Sequence, residues 1–275
     1  MTAREALTGP AAGGLVLEAP GVRLLVSPAD GGRLASLTVD GTELLVTSSP
    51  LGATYWGSYP MAPWAGRIRH GRFTFASREH ALPITMPPHA IHGVVMDRAW
   101  TVVAHDTIAI DMDEAWPFRG RVTQRFALDR DGLSVTMTLH ADEPQPVVLG
   151  WHPWFRRVLS TGAAPVEVSL DAGTLLVRDA QGIPTGERIT PTPPPWDDAF
   201  TDLRSDPVLR WPGQLLLTLS STCPWWVVYT EPEHAVCVEP QSGPPDAANQ
   251  LPQTVVPGEP MEHVMRWRWE RLAGR

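Results

Sequence analysis

Val122-Thr123-Gln124-Arg125-Phe126-Ala127-Leu128, then Asp129-Arg130-Asp131-Gly132, then Leu133-Ser134-Val135-Thr136-Met137-Thr138-Leu139: this stretch decides the fold. Val122, Gln124, Phe126 and Leu128 share one face of an extended segment, and Leu133, Val135, Met137 and Leu139 share one face of the next. Successive side chains of a strand point to opposite faces, so a period of two marks half-buried strands; an amphipathic helix repeats its apolar face about every 3.6 residues. The polar turn residues between the two runs, ending in glycine, predict an antiparallel hairpin.

The same pattern extends in both directions. Upstream, Val22–Ser27 and residues 36–39 read as strands with Asp30-Gly31-Gly32 as the turn between them, and Asp40-Gly41 leads tightly into 42–46. An Asp-Gly pair between apolar runs suits a turn whose two central residues take positive φ. Downstream, 166–170, 174–177, 215–219, Trp225–Tyr229, 235–239 and 261–269 read as further strands. Many short strands set off by Gly and Pro predict an all-β chain, a large antiparallel sandwich or barrel. No break in composition marks a linker, so 1–275 is expected to form one domain, with 1–20 as a loosely ordered N-terminal segment. Segment 183–196, with Pro191, Pro193, Pro194 and Pro195, is expected to lie as a stiff loop over the sheet, because proline cannot donate to a ladder.

A chain of 275 residues with 43% hydrophobic content can bury a full core. Its net charge of -8 argues against nucleic-acid or anionic-membrane partners, which need clustered Lys and Arg. No apolar run approaches the length of a membrane span, and 1–20 lacks the basic start and apolar stretch of a signal peptide. Cys223 and Cys237 flank an expected hairpin that would bring them near each other. Two thiols make neither a disulfide framework nor a zinc site, so a reducing, cytoplasmic setting is expected.

In Val148-Leu149-Gly150-Trp151-His152-Pro153-Trp154-Phe155 a buried strand runs into a glycine and sets a histidine between two tryptophans. An imidazole titrates near neutral pH and can act as acid or base, and indoles supply a dry wall and a stacking face for a sugar ring. The alternative is a buried histidine satisfied by a backbone carbonyl. Arg67 emerges from Pro60-Met61-Ala62-Pro63-Trp64-Ala65-Gly66-Arg67-Ile68 with a five-donor fork suited to hydroxyls or a carboxylate. His92 precedes Gly93, and one of His92 and His89 is expected to be solvated. Glu239 ends an apolar strand at Pro240, where it can face a cleft, and Asp197 or Asp198 is a further hydroxyl acceptor. There is no zinc-helix motif, serine elbow or Gly-rich phosphate loop. The remaining set suits proton transfer on a neutral polyol without metal or cofactor.

In order and content these segments resemble the aldose 1-epimerase (galactose mutarotase) family. The resemblance rests on Gly-Arg-Ile at Arg67, His-Gly at His92, His-Pro-aromatic-Phe from His152 to Phe155, Asp-x-x-Phe from Asp197 to Phe200, and Glu-x-Gln followed by Pro-Asp-Ala and Asn249. It runs from about Gly31 to the end of the chain. It implies a large antiparallel β-sandwich of the galactose mutarotase type and a small-molecule sugar as partner. It further implies His152 as general acid, Glu239 as general base, and Arg67, His92 and Asp197 as sugar-binding residues. Trp64, Trp151 or Trp154 is expected in the wall, and the acid and base are expected to be ionised near neutral pH. Ala65-Gly66 before Arg67 and a single glycine after His92 depart from the better-known members and mark a divergent, shorter one. Sugar preference therefore does not carry over. A hexose-6-phosphate epimerase of the same fold, using Arg69, Arg72 and Arg98, is the nearest alternative. A noncatalytic carbohydrate-binding sandwich is another, and a glycosidase with Asp197 or Asp198 as second carboxylate a third. A monomer or homodimer is expected.

Overall fold

The structure, a computed structural model, describes residues 13–272. Gly120–Leu128 and Gly132–Ala141 pair antiparallel, with Val122 opposite Leu139 and Phe126 opposite Val135. The Asp129 N–H donates to the Gly132 carbonyl at 2.9 Å and the Asp131 N–H to Asp129 Oδ1 at 2.7 Å, closing the turn. Val122, Phe126, Val135 and Met137 are buried while Arg121 and Arg125 are exposed, as the period of two requires. Gln124 is the polar member of the buried face. Its Nε2 donates to the Gly32 carbonyl at 2.8 Å and its Oε1 accepts the Trp151 indole N–H at 3.1 Å, so both ends are satisfied.

The hairpin belongs to an eight-stranded antiparallel sheet, in the order Thr101–Ala104, Thr107–Asp111, Gly120–Leu128, Gly132–Ala141, Met261–Arg271, Leu215–Ser221, Val208–Trp211 and Glu167–Ser169. An eleven-stranded sheet packs on it. Its order is Leu15–Ala19, Val22–Ser27, Arg33–Val39, Ser58–Met61, Gly150–Arg156, Ala235–Gln241, Trp225–Tyr229, Asp197–Leu203, Ala172–Arg178 and Pro184–Ile189, with Thr42–Glu43 beside Arg33–Val39. One buried cluster joins them: Leu24, Leu37, Trp151, Phe155, Val236 and Val238 from the larger sheet meet Phe126, Val135, Leu217 and Trp267 from the smaller. The Phe155 and Trp267 rings lie 4.9 Å apart across it. This is the expected antiparallel β-sandwich. The one α-helix among the described residues, Ala247–Gln250, is a single turn, and no helix there is long and apolar enough to cross a membrane.

Several expectations change. Of the segment 1–20, residues 1–12 lie outside the described residues, but Leu15–Ala19 is an edge strand paired with Val22–Ser27 and is not loosely ordered. Within 183–196, Pro184–Ile189 is likewise an edge strand, with Arg178 opposite Pro184. An edge tolerates a proline because its missing donor can face away from the ladder. Asp40 and Gly41 take φ of 47° and 78° as expected, but the strand after them is only Thr42–Glu43. Cys223 and Cys237 are both buried and free. Trp225 pairs with Gln241 and Tyr229 with Cys237, so Cys223 lies beyond the far end of the hairpin from Cys237.

Candidate active site

The two central strands of the larger sheet, Gly150–Arg156 and Ala235–Gln241, are buried on both faces. Val236 and Val238 face the core shared with the second sheet, so by alternation Cys237, Glu239 and Gln241 face the other way. Gly150 lies opposite Gln241 and Trp154 opposite Cys237, a register that sets His152 across from Glu239. His152 Nε2 is 3.1 Å from Glu239 Oε1, and Gln241 Nε2 donates to Glu239 Oε2 at 3.2 Å. On the other side Tyr59, in Ser58–Met61, pairs with His152. The imidazole stacks with the Tyr59 ring at 4.8 Å and with the Trp154 ring at 5.2 Å, with His92 edge-on at 5.1 Å.

Loops complete a cavity of about 160 Å³ over this pair, lined by Arg67, His92, His152, Trp154, Asp197 and Glu239 among others. His92 has a left-handed backbone, φ 60°, which a non-glycine residue adopts at a cost and which recurs at functional sites. Its N–H donates to the Gly66 carbonyl at 3.0 Å. Gly93 is required next to it, since a Cβ there would lie 2.0 Å from the Ala62 carbonyl oxygen. Arg67 is held from below by the Pro-Asp-Ala segment: the Asp246 N–H donates to the Arg67 carbonyl at 2.6 Å, and Asp246 Oδ1 accepts the Arg69 N–H at 2.9 Å. Asp197 Oδ2 accepts from Arg178 Nη1 at 2.8 Å, and Arg178 Nε reaches Asp198 at 3.1 Å.

Beneath the cavity lies Arg33, fully buried. Its Nε donates to the Asp30 carbonyl at 2.6 Å, Nη1 to the Ala53 and Trp56 carbonyls at 2.6 and 2.9 Å, and Nη2 to the Met96 carbonyl at 3.0 Å. Its guanidinium carbon sits 4.2 Å from the Trp56 ring centroid and 5.4 Å from that of Tyr59. Burial lowers its pKa to about 10, which still leaves it charged.

The electrostatics differ from the expected carboxylate and imidazolium. Burial pushes the Glu239 carboxyl well above its usual range, with the Asp197 charge adding to the rise, and pushes His152 well below, with His92 adding to the fall. Both shifts favour the neutral forms, so one proton is held between a carboxylic acid and a neutral imidazole. Burial, then the nearby Arg67, lower His92 to about 3, so it is neutral at ordinary pH. Cys237 Sγ lies with His152 and Glu239 donor atoms in a group spanning 4.8 Å. Burial pushes this thiol up, with the Glu239 and Asp197 charges adding to the rise.

Of the residues singled out from sequence, His152, Glu239, Arg67, His92, Asp197 and Trp154 meet in this cavity. Trp151 does not: one residue from His152 on a strand, it points into the core and donates to Gln124. Trp64 lines a neighbouring cavity instead. His89 is as buried as His92, and its Nδ1 accepts the His70 N–H at 3.0 Å, so neither histidine is solvated. Tyr59 escaped sequence reading because its short strand carries no motif. Cys237 was legible, two residues from Glu239 and hence on the same face.

The profile of the aldose 1-epimerase family matches residues 15–268. The Escherichia coli (strain K12) protein YphB is 31% identical over 133 residues, 46% of this chain and 46% of that protein. Homo sapiens galactose mutarotase is 33% identical over 136 residues, 45% of this chain and 39% of that protein. The matched stretch thus spans less than half the length of these relatives. Among solved structures, a galactose mutarotase-like protein from Clostridium acetobutylicum superposes with a TM-score of 0.83 at 17% identity, covering 94% of this chain and 95% of that one. Galactose 1-epimerase from Lactobacillus acidophilus NCFM does so with a TM-score of 0.77 at 17% identity, covering 94% of each. At such identity these likenesses establish the shared sandwich, and the profile match over most of the chain establishes the rest: this chain belongs to the aldose 1-epimerase family.

Proposed function

We propose that this chain interconverts the α and β anomers of a free aldose by opening and reclosing the hemiacetal ring. The observation that carries this reading is the 3.1 Å contact of His152 Nε2 with Glu239 Oε1 in a cavity also lined by Arg67, His92 and Asp197. Arg67, whose guanidinium has no carboxylate partner among the described residues, and the sugar hydroxyls stabilise the Glu239 carboxylate. Binding thereby moves the shared proton onto His152. Glu239 then takes the C1 hydroxyl proton while His152 gives its proton to the ring oxygen O5. The C1–O5 electron pair leaves with O5 and C1=O1 forms. The pair is left as a carboxylic acid and a neutral imidazole, the form that burial favours. Rotation about C1–C2 presents the other carbonyl face, and the reverse transfers close the ring. O1 and O5 are both bonded to C1, so an adjacent acid and base serve both. Each transfer is worth roughly 10²–10⁴-fold.

The phosphorylated alternative has less support. Arg69 is engaged by Asp179 at 2.7 Å, Arg98 by Asp113 at 3.1 Å and Arg72 by Glu79, which leaves no converging phosphate cluster among them. A binding module has no use for a buried acid and base pair. With both thiols unpaired, a cytoplasmic setting fits, and we take 1–275 as one domain, monomeric or homodimeric. Polarimetry or NMR of freshly dissolved aldoses and hexose 6-phosphates, corrected for the spontaneous rate, tests the reading. Acceleration of free aldoses is expected; no acceleration of any sugar overturns it.

A further inference from the structure

The backbone of Arg67 is fixed by the Asp246 N–H and by the pairing of Arg67–Ile68 with Ala90–Ile91, but that leaves the end of a long side chain free to swing. With no carboxylate partner among the described residues, the guanidinium is placed by packing. What packs on it is the tip of an edge hairpin built from Ala172–Arg178 and Pro184–Ile189. Gly182, buried in that tip at φ 76°, has no room for a side chain. A Cβ there would lie 2.9 Å from Arg67 Nη1, 3.0 Å from Cζ and 3.3 Å from Nε. The central carbon is as near as the nitrogens, which only an approach over the flat face allows. The donors at the edge of the fork are thereby left clear of the glycine.

The tip is itself tied down. The Asp179 N–H donates to the Ile183 carbonyl at 2.9 Å and the Gly182 N–H to the Asp179 carbonyl at 3.0 Å. Asp179 Oδ1 accepts the Gln181 and Ile183 N–H groups at 2.8 and 3.1 Å. Asp179 Oδ2 accepts from Arg69 Nη2 at 2.7 Å, two residues beyond Arg67, and Gln250 Nε2 donates to the Pro184 carbonyl at 2.9 Å. Gln250 ends the helical turn that Asp246 begins, so the tip and the backbone of Arg67 share one frame. The same hairpin holds Asp197 through Arg178, where the ladder shifts register between Leu176 and Arg178. Such a shift re-aims a side chain.

On the proposed function, in which Arg67 binds the sugar, we propose that the hairpin tip 179–183 is a positioning element of the site and that Gly182 is the residue that seats the Arg67 guanidinium. Gly182 and Arg178 are not part of the cavity lining, so each acts through another residue. A guanidinium only donates and a carboxylate only accepts, so one hairpin governs both a donor and an acceptor offered to the hydroxyls.

Anomerisation kinetics of the best aldose in Gly182→Ala test this. The added methyl displaces the far end of a flexible side chain, so the fold is expected to survive. KM is expected to rise roughly three- to tenfold, the worth of one misplaced hydrogen bond, with kcat lowered by no more than that. In an Arg67→Ala background the same substitution is expected to change KM by less than about twofold, because the group it displaces is gone. Gly186→Ala is the control: it sits in the same hairpin at φ 91° with nothing within 4 Å of an added Cβ. It carries the backbone cost without the contact and is expected to keep the wild-type KM. An unchanged KM in Gly182→Ala, or an equal rise with and without Arg67, overturns the seat and leaves the proposed function standing. If no sugar is anomerised, the Arg67 Nε–Hε NMR signal, assigned by its loss in Arg67→Lys, decides separately. A shift in Gly182→Ala but not in Gly186→Ala supports the seat, and an unmoved signal overturns it. Asp179→Ala, which unties the tip from Arg69, goes through the same cycle if Gly182→Ala does not fold.

Discussion

Gly120–Leu128 with Gly132–Ala141, and Gly150–Arg156 with Ala235–Gln241, are both pairs of antiparallel strands, yet they use their second faces differently. In the first pair one face meets the core and the other meets water, so Arg121 and Arg125 cost nothing in desolvation. In the second pair both faces are buried, and only Arg156 at the end is exposed. That second buried face nonetheless carries His152, Cys237, Glu239 and Gln241. Burying an ionisable group is unfavourable unless it is neutralised or paired. The first pair therefore holds the sandwich together, while the second spends stability to keep a proton poised in a dry place.

The sharpest break of this contrast is Glu239→Gln, which keeps shape and hydrogen bonding but removes the base. It should lower kcat by roughly 10²–10⁴-fold with little change in KM. It should also stabilise the fold at neutral pH. The sign follows from the raised carboxyl. Its favourable contribution is complete below the unfolded carboxylate pKa and is lost as pH rises toward the folded one, so a neutral amide removes the loss. Denaturant melts alongside anomerisation kinetics check both halves; an unchanged kcat moves the base to Asp197.

Phe126→Ala in the other pair should do the opposite. It should destabilise by about 3–5 kcal/mol, by lost burial and a cavity, with kcat per folded molecule unchanged. Urea midpoints with an activity titration would show it.

Next in size is the acid side of the stability profile. His92 is depressed to about 3, so its contribution is full above the unfolded value of 6.5 and is lost as pH falls from there toward 3. Melts between pH 7 and pH 4 should show a fall that His92→Gln flattens, by an amount on the order of a few kcal/mol. The activity profile is set by the pair: the lowered His152 and raised Glu239 keep one shared proton across neutral pH. A plateau through neutrality, with its acid limb below 6.5, is expected in kcat/KM. The smallest effect is Arg67→Ala. It should raise KM by roughly tenfold and lower kcat by no more than that, because the guanidinium both positions bound substrate and favours the Glu239 carboxylate.

What was legible in the sequence follows the same division. The period of two wrote out the 120–141 hairpin residue by residue, because one solvated face leaves polar side chains in alternation. Segment 150–156 has no such alternation, since neither face meets water, so only position parity separates Trp154, on the His152 face, from Trp151, on the other. Edge strands were missed at Leu15–Ala19, a short apolar run set between glycines and a proline, and at Pro184–Ile189, whose proline and glycine read as a loop; half of an edge strand's backbone bonds are optional. The shift of the acid and base toward neutrality depends on burial from every side, which no local motif records.

Arg33 bears on which parts of the wall beside the candidate site can vary. A single guanidinium gathers carbonyls from Ala53, Trp56 and Met96, and Ala53 and Met96 line the cavity that neighbours the acid and base. Lengthening either rim loop would pull an acceptor off a buried cation shared with the other, so the two loops cannot drift independently. On the proposed function, new sugar preferences would be reached most readily by exchanging side chains on a fixed backbone. A library built to redirect this protein should randomise Thr54, Met86 and Ala115 while leaving loop length and Arg33 alone.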